Sequence, residues 1–454
     1  MMHKPFRLGL ILALFLAVPG RSAVLLAEQE IAYDAYVPLL KRPEAVSLEA
    51  ARKRDRSKIL ARVVEQPFRP FGHSLGKTAE WVERKHVDEK VVWFFDELAL
   101  HGIHPSFRRP TEGSFGTAGV GGRVDIEQLL EIEQPYMSSE IFGGWTPNAA
   151  FDGTTTDFGG KYRLQAPEGK LHHEGFMRYA RSSSESFYGI GNDSSLGEWS
   201  SYEPEELMLK GSLAAELTRS IEANASVLYQ RMNIGNGARK GVGKIKEHFL
   251  GSNIPGIAGG NLIGVKGSVE YDVRDHATDP RKGGYGALEV SYFHDTDSND
   301  FQYVDIGGFL AHFFRLGSDR RVLALRLTAK QVEDVGGDDI PFFNLARLGG
   351  SRPWRGSELL RSYRFNRFFA DGLILGNAEY RYNIYEYGDF AGDAFALFDV
   401  GEVSEDIVDF AFGELEVSYG GGVNLKFRRE TIFSFVVAHG SEGTEFTVHS
   451  RASF

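Results

Sequence analysis

From about residue 113 to the end of the chain, apolar and polar residues alternate with a period of two. The last run, TEFTVHSRASF, places Phe446, Val448, Ser450, Ala452 and Phe454 on one side. Glu445, Thr447, His449, Arg451 and Ser453 fall on the other. Successive strand residues point to opposite faces, so this segment reads as a strand with one mostly apolar and one polar face. The same alternation predicts strands at 113–125, 137–147, 155–165, 170–182, 201–216, 219–232, 260–276, 283–296, 300–316, 319–332, 371–386, 391–402, 413–428, 431–441 and 444–454. Many exceed the roughly five or six residues usual in globular sheets. About 9–11 tilted residues cross a bilayer.

The connections sort by parity. With Phe454 on the periplasmic side, the connections 442–443, 403–412, 333–370, 297–299, 233–259, 183–200 and 148–154 fall outside the cell. The other set holds 429–430, 387–390, 317–318, 277–282, 217–218 and 166–169. The three longest all belong to the first set, which is the outer-membrane pattern. The expected fold is therefore an all-β transmembrane barrel. Single-chain barrels have even strand numbers. One short strand more is thus expected between residues 106 and 135, where Gly116, Gly119, Gly121 and Gly122 blur the alternation. That gives about 16 antiparallel strands, with 14 as the next choice.

Upstream the pattern changes. Lys4 and Arg7 precede an apolar run from Leu8 to Val18 and then small residues, the layout of a signal peptide over 1–27, cleaved near Ser22, Ala23 or Ala27. Residues 28–112 are expected to form a helical periplasmic prefix, with the barrel over 113–454. Val91, Val92, Phe94, Phe95 and Leu98 mark one side of a helix from Asp88 to His101, ended by Gly102 and Pro105. A weaker helix is expected from Ser74 to Val87. Gly102 breaks the face that His101 and His104 would share, so no metal is expected there. Cysteine is absent, which excludes disulfides and thiolate chemistry. The net charge of −11 argues against nucleic acid.

The stretch SRPWRGSELLRSYRF (351–365) interrupts this order with four arginines. In the strand after it, Ile374, Gly376, Ala378, Tyr380, Tyr382 and Ile384 share a lipid-compatible face, and Leu373, Asn377, Glu379, Arg381 and Asn383 share the other. In the next strand Ala394, Ala396, Phe398 and Val400 face lipid, so Asp399 and Gly401 face the lumen. Glu379 and Asp399 therefore point inward from adjacent strands, where an arginine of a folded-in loop can bridge them.

These features resemble the BamA/TamA superfamily of outer-membrane assembly and translocation barrels, also called bacterial surface antigen barrels. Its marker is an apolar-Arg-Gly-aromatic turn in the sixth extracellular loop. Trp354-Arg355-Gly356 matches, with Ser357 in place of the aromatic. The resemblance implies that Arg355 sits in the lumen against Glu379 and Asp399. FDVGEV (398–403), LGG (348–350), YDVRDHATDPRKGG (271–284) and FYGIGN (187–192) are similar to other family segments. For Arg352, Arg361 and Arg364 the expectation is contact with lipopolysaccharide phosphates or solvent. Residues 28–112 show helices without paired strands, so a prefix capping the periplasmic mouth or lying on the membrane interface is favoured over one of the family's small α/β capture modules.

The resemblance implies assistance to protein insertion or passage through a weak seam between first and last strands. The glycine-rich GSFGTAGVGG (113–122) suits such a seam, with Gly116, Gly119 and Gly121 on one side and Phe454 on the other. No helix follows it as a phosphate loop requires. The alternative is a pore or lipid conduit without assembly activity. A barrel phospholipase or protease ranks third, because no spacing of Ser, His and Asp singles out a catalytic set. His172 and His173 are adjacent and point to opposite faces, and His439 and His449 are isolated. No enzyme activity, cofactor or metal is expected. Expected partners are outer-membrane lipid and lipopolysaccharide, with client proteins or a periplasmic accessory protein besides.

Overall fold

The computed structural model describes residues 94–449 except 95–96, 99, 109–118, 133–135, 149–152, 168, 251–252, 298–299, 351–356 and 410–413. Among the described residues the main sheet has eighteen strands. Two are short segments, Glu185–Phe187 and Gly243–Lys244, that pair with the start of a longer strand. The other sixteen form an antiparallel meander: β1 (Ile103–Arg108), β2 (Gly119–Asp125), β3 (Met137–Asn148), β4 (Gly153–Gln165), β5 (Leu171–Ser182), β6 (Ser200–Thr218), β7 (Ile221–Asn236), β8 (Gly259–Asp272), β9 (Gly283–Asp295), β10 (Gln302–Arg315), β11 (Arg321–Asp334), β12 (Gly372–Tyr387), β13 (Phe390–Ser404), β14 (Glu416–Phe427), β15 (Glu430–Gly440) and β16 (Gly443–His449). Each pairs with the next.

As far as the described residues reach, every alternating run coincides with one of these strands. The added strand is β1, which starts before the expected window of 106–135 and lies inside the segment expected to be the helical prefix, so among the described residues the sheet begins at Ile103 and not at 113. IHPSFR carries no clean alternation and contains a proline. Pro105 stands opposite Gly122 on the first strand, where a missing amide donor is tolerated. The helical residues Phe94, Glu97, Leu98 and Leu100 lead into it through Gly102. The signal segment, the weaker helix at 74–87, Gly116 and Phe454 lie outside the described residues.

Side chains divide as the alternation requires. Along β12, Asn377, Glu379, Arg381 and Asn383 are buried; along β13, Asp393 and Asp399; along β14, Ser418, Asn424 and Lys426. On the opposite face apolar residues are open: Val227 is 55% exposed, Val265 54% and Phe398 47%. Polar groups inside and apolar groups outside invert the arrangement of a water-soluble sheet. The inversion places the apolar face against lipid and the polar face around a lumen.

The ends of the barrel differ. At one end the connections are long, including 183–199, 237–258, 335–371 and 405–415; at the other they include 166–170, 219–220, 316–320, 388–389 and 428–429. The longest, 335–371, carries three short strands, Ala346–Leu348, Ser357–Glu358 and Phe368–Ala370, paired with one another. Its apolar side chains fill the long-loop mouth. Phe342, Phe343 and Phe369 pack with Phe187, Tyr202 and Tyr303. Leu348, Leu360, Tyr363 and Phe368 pack with Leu373 and Val403 of the wall. This apolar core anchors the loop.

Candidate functional site: a buried arginine in the lumen

β12 and β13 pair with Asn377 opposite Asp399 and Glu379 opposite Leu397. That register puts two carboxylates on neighbouring strands of the same lumen wall. Asp399 is 0% exposed and Glu379 2% exposed. Buried charges persist only when paired and hydrogen-bonded, so this pocket requires a cation.

The cation is Arg361. Its Nε donates to Asp399 Oδ2 at 2.8 Å and its Nη2 to Asp399 Oδ1 at 2.5 Å. Its Nη1 donates to Glu379. Its backbone amide also reaches Asp399 Oδ2, at 3.2 Å. The fork therefore spans both acids, using the geometry that distinguishes arginine from lysine. Around it, Arg381 Nε donates to the other Glu379 oxygen at 2.8 Å. Asn377 Nδ2 donates to Asp399 at 2.9 Å and to the Leu359 carbonyl at 3.2 Å. Burial opposes the charge of Arg361, but Asp399 and Glu379 outweigh it and push the guanidinium pKa further up. The loop is thereby tied to the wall at a dry point.

The position expected for Arg355 is thus held by Arg361. Arg355 and Gly356 lie outside the described residues. The expectation of lipopolysaccharide or solvent for Arg361 is corrected as well, since its side chain is fully buried. The sequence signal is Leu360-Arg361-Ser362-Tyr363, which keeps the apolar residue and the aromatic of the marker and replaces its glycine by serine. Trp354-Arg355-Gly356 kept the glycine and lacked the aromatic. Ser362 fits because room is made for its hydroxyl. It bonds Ser418 Oγ at 2.6 Å, and Gly440 faces it. A methyl group at Gly440 would meet Ser362 Oγ and would stand 2.7 Å from the Val417 carbonyl. Arg364 is exposed and lies 4.4 Å above the Trp199 ring, so its expected solvent contact is in part a cation–π contact.

The loop continues along the wall. Tyr363 Oη bonds Glu416, and lies 2.9 Å from Ser441 Oγ. Burial and the Glu416 carboxylate push its phenol up to about 12. Gly349, of the LGG segment, has φ +127°, and an added Cβ would collide with the Arg364 carbonyl, so only glycine lets the chain reverse there. Gly401, of the FDVGEV segment, faces the lumen beside Leu375. Asn192, from FYGIGN, bonds the Glu414 carbonyl at 2.8 Å.

At the short-turn end, the turn at 273–282 from YDVRDHATDPRKGG reaches the far wall. Asp279 Oδ1 accepts from Lys426 Nζ at 2.6 Å, and the Asp279 carbonyl accepts from Arg429 at 2.9 Å. Burial works against ionisation of Asp279, but Lys426 and Arg429 prevail and hold it below the usual carboxylate range.

The wall made by β4–β10 is less filled. It borders a cavity of about 960 Å³ lined by Arg178, Lys210, Lys266, Glu206, Glu289 and Asp305, among others. The expectation that Gly119 and Gly121 line the weak seam is corrected, since they lie on β2, which pairs with β1 on one side and β3 on the other and is one strand removed from the edge. His172 is buried on the lumen side between Arg163 and two glutamates, whereas His173 faces Tyr162 on the outer side.

These features agree with the comparisons. A profile of the Omp85 superfamily domain matches residues 146–428. Among solved structures the chain is similar to BamA from Haemophilus ducreyi lacking POTRA domains 1–3, with a TM-score of 0.51, 13% identity, and coverage of 77% of this chain and 69% of that one. It is also similar to CdiB from Escherichia coli, with a TM-score of 0.47 and 12% identity over 77% of this chain and 60% of that one. CdiB from Acinetobacter baumannii gives 0.46 and 11% over 76% and 57%. No curated protein matches. Sixteen antiparallel strands with a polar lumen among the described residues, and a family profile spanning most of them, make this chain a member of the Omp85 superfamily.

Proposed function

We propose that the protein resides in the bacterial outer membrane, long loops outward, and assists the insertion or passage of other proteins through a seam between β1 and β16, while the 335–371 loop plugs the lumen. The carrying observation is Arg361, held between Glu379 and Asp399. A loop locked at this depth disfavours an open pore and leaves the wall as the route for a client. The shortness of the described parts of β1, β2 and β16, with 6, 7 and 7 residues against 16 in β12, supports a weak seam. Client proteins, a periplasmic accessory protein, membrane lipid and lipopolysaccharide are the partners in this reading, and it assigns the protein no catalytic step.

The cavity beneath the loop favours a second reading, a pore or lipid conduit without assembly activity. Depletion of the protein, followed by outer-membrane proteomics and a lipid-asymmetry assay, separates the two. Loss of many barrel proteins supports assembly. Intact barrels with displaced phospholipid support the conduit. No change in either rejects both.

A further inference from the structure

The loop that locks the lumen also touches the turn between the last two strands. Arg367, six residues after Arg361, is 3% exposed. Its Nε donates to Glu442 Oε1 at 2.7 Å, and Glu442 lies in the turn joining β15 to β16. The other edge of the same guanidinium reaches the connection after β5. Nη1 donates to Ser194 Oγ at 2.8 Å and Nη2 to the Ser194 carbonyl at 2.5 Å. Ser194 belongs to the 183–199 connection, which joins β5 to β6 in the N-terminal wall. The guanidinium is packed between rings, 5.0 Å from the Tyr188 centroid and 4.4 Å from that of Phe368.

This geometry is specific. Carboxylate and carbonyl lie on different edges of one planar fork, a fixed geometry that the point charge of a lysine lacks. The contact joins two parts of the barrel that β1 to β4 otherwise separate. If β16 parts from β1, the β15–β16 turn moves relative to the 183–199 connection, and Arg367 must release one of them.

We propose that Arg367 is a clasp holding the long-loop end of the β1–β16 seam shut, with Glu442 and Ser194 as its two catches. The inference rests on the seam of the proposed function. Arg367 is a positioning residue, acting on the strand edge and not on a client.

Hydrogen exchange on the full chain in lipid nanodiscs tests it. Glu442→Gln keeps every other contact of Arg367 and should leave the loop docked. The clasp predicts that β16 amides (443–449) exchange about tenfold faster, the factor expected from losing one charge-assisted hydrogen bond, while β9–β12 stays unchanged. Arg367→Lys should behave like Glu442→Gln. Ser194→Ala keeps the carbonyl acceptor and should accelerate exchange less than Glu442→Gln, and the two together should give less than the product of their separate effects, because both weaken one clasp. Unchanged β16 exchange in Glu442→Gln and Arg367→Lys, or acceleration spread equally over all strands, overturns the proposal.

A second arm tests the seam itself. In this cysteine-free chain, Ser194→Cys and Glu442→Cys can be joined by a short, reducible thiol linker. Client insertion into vesicles should stop when the linker is in place and resume on reduction. Faster β16 exchange together with uninterrupted insertion by the linked protein would retain the clasp and remove the assembly role.

Discussion

On the lumen face of β12–β15, Asn377, Glu379, Asp399, Lys426 and Ser434 are all buried, and loop residues from Leu359 to Phe368 cover much of that wall. On β4–β9 the corresponding positions, Lys161, Glu174, Lys210 and Lys266, border an open cavity. The two walls have the same strand geometry and the same inward polarity. They differ in water. Charges on the covered wall are desolvated, so each depends on its partner. Charges on the open wall keep part of their hydration, and their pairing adds little. The covered wall therefore acts as scaffold for the loop, and the open wall as the lining of a wet lumen.

The largest expected effect comes from the covered wall. Arg361→Ala strands two buried carboxylates and should lower stability by about 3–5 kcal/mol, read as an earlier loss of heat-resistant gel migration. A loss below about 1 kcal/mol would mean that the pocket is wet. Gly440→Ala should follow, at about 1–3 kcal/mol, because its methyl group meets Ser362 and the Val417 carbonyl. On the open wall, Lys266→Ala breaks a 2.6 Å pair with half-exposed Glu289 and should cost no more than about 1 kcal/mol. On the lipid side of that wall, Gly211→Ala meets nothing within 4 Å. It should stabilise by about 0.4–1 kcal/mol, since it removes only unfolded-state freedom. Equal losses at Gly440 and Gly211 would erase the distinction.

A further effect is a pH dependence at the long-loop mouth. Burial, with Glu333, Glu405 and Asp334 nearby, pushes Asp371 up to about 6 from 3.8. The folded state thus binds this proton more tightly than the unfolded state. The contribution is full below the unfolded value and is lost as pH rises through about 6. Melting temperature should rise on moving from about pH 7 to about pH 5, and Asp371→Asn should flatten that rise. A steeper dependence in the variant would contradict the assignment.

The alternation along the chain revealed the strands because a membrane barrel enforces it on both faces. Glu379 and Asp399 were legible for the same reason, since the alternation puts both at inward positions of adjacent strands. β1 was not, because Pro105 and two polar neighbours hide its period. Arg361 was not, because loops have no period, and the choice among four arginines rested on a glycine that this chain replaces by Ser362. The compensation lies in Ser418 and Gly440, far off in sequence, where only packing reveals it. The link from Arg367 to Glu442 and Ser194 is equally non-local.

Single-channel conductance of Arg361→Gln against the unaltered protein in planar bilayers tests the central claim most directly. A loop locked at this depth by the Arg361 guanidinium predicts small, rare openings in the unaltered protein and several-fold larger, longer ones in the variant. Indistinguishable currents from the two would contradict it.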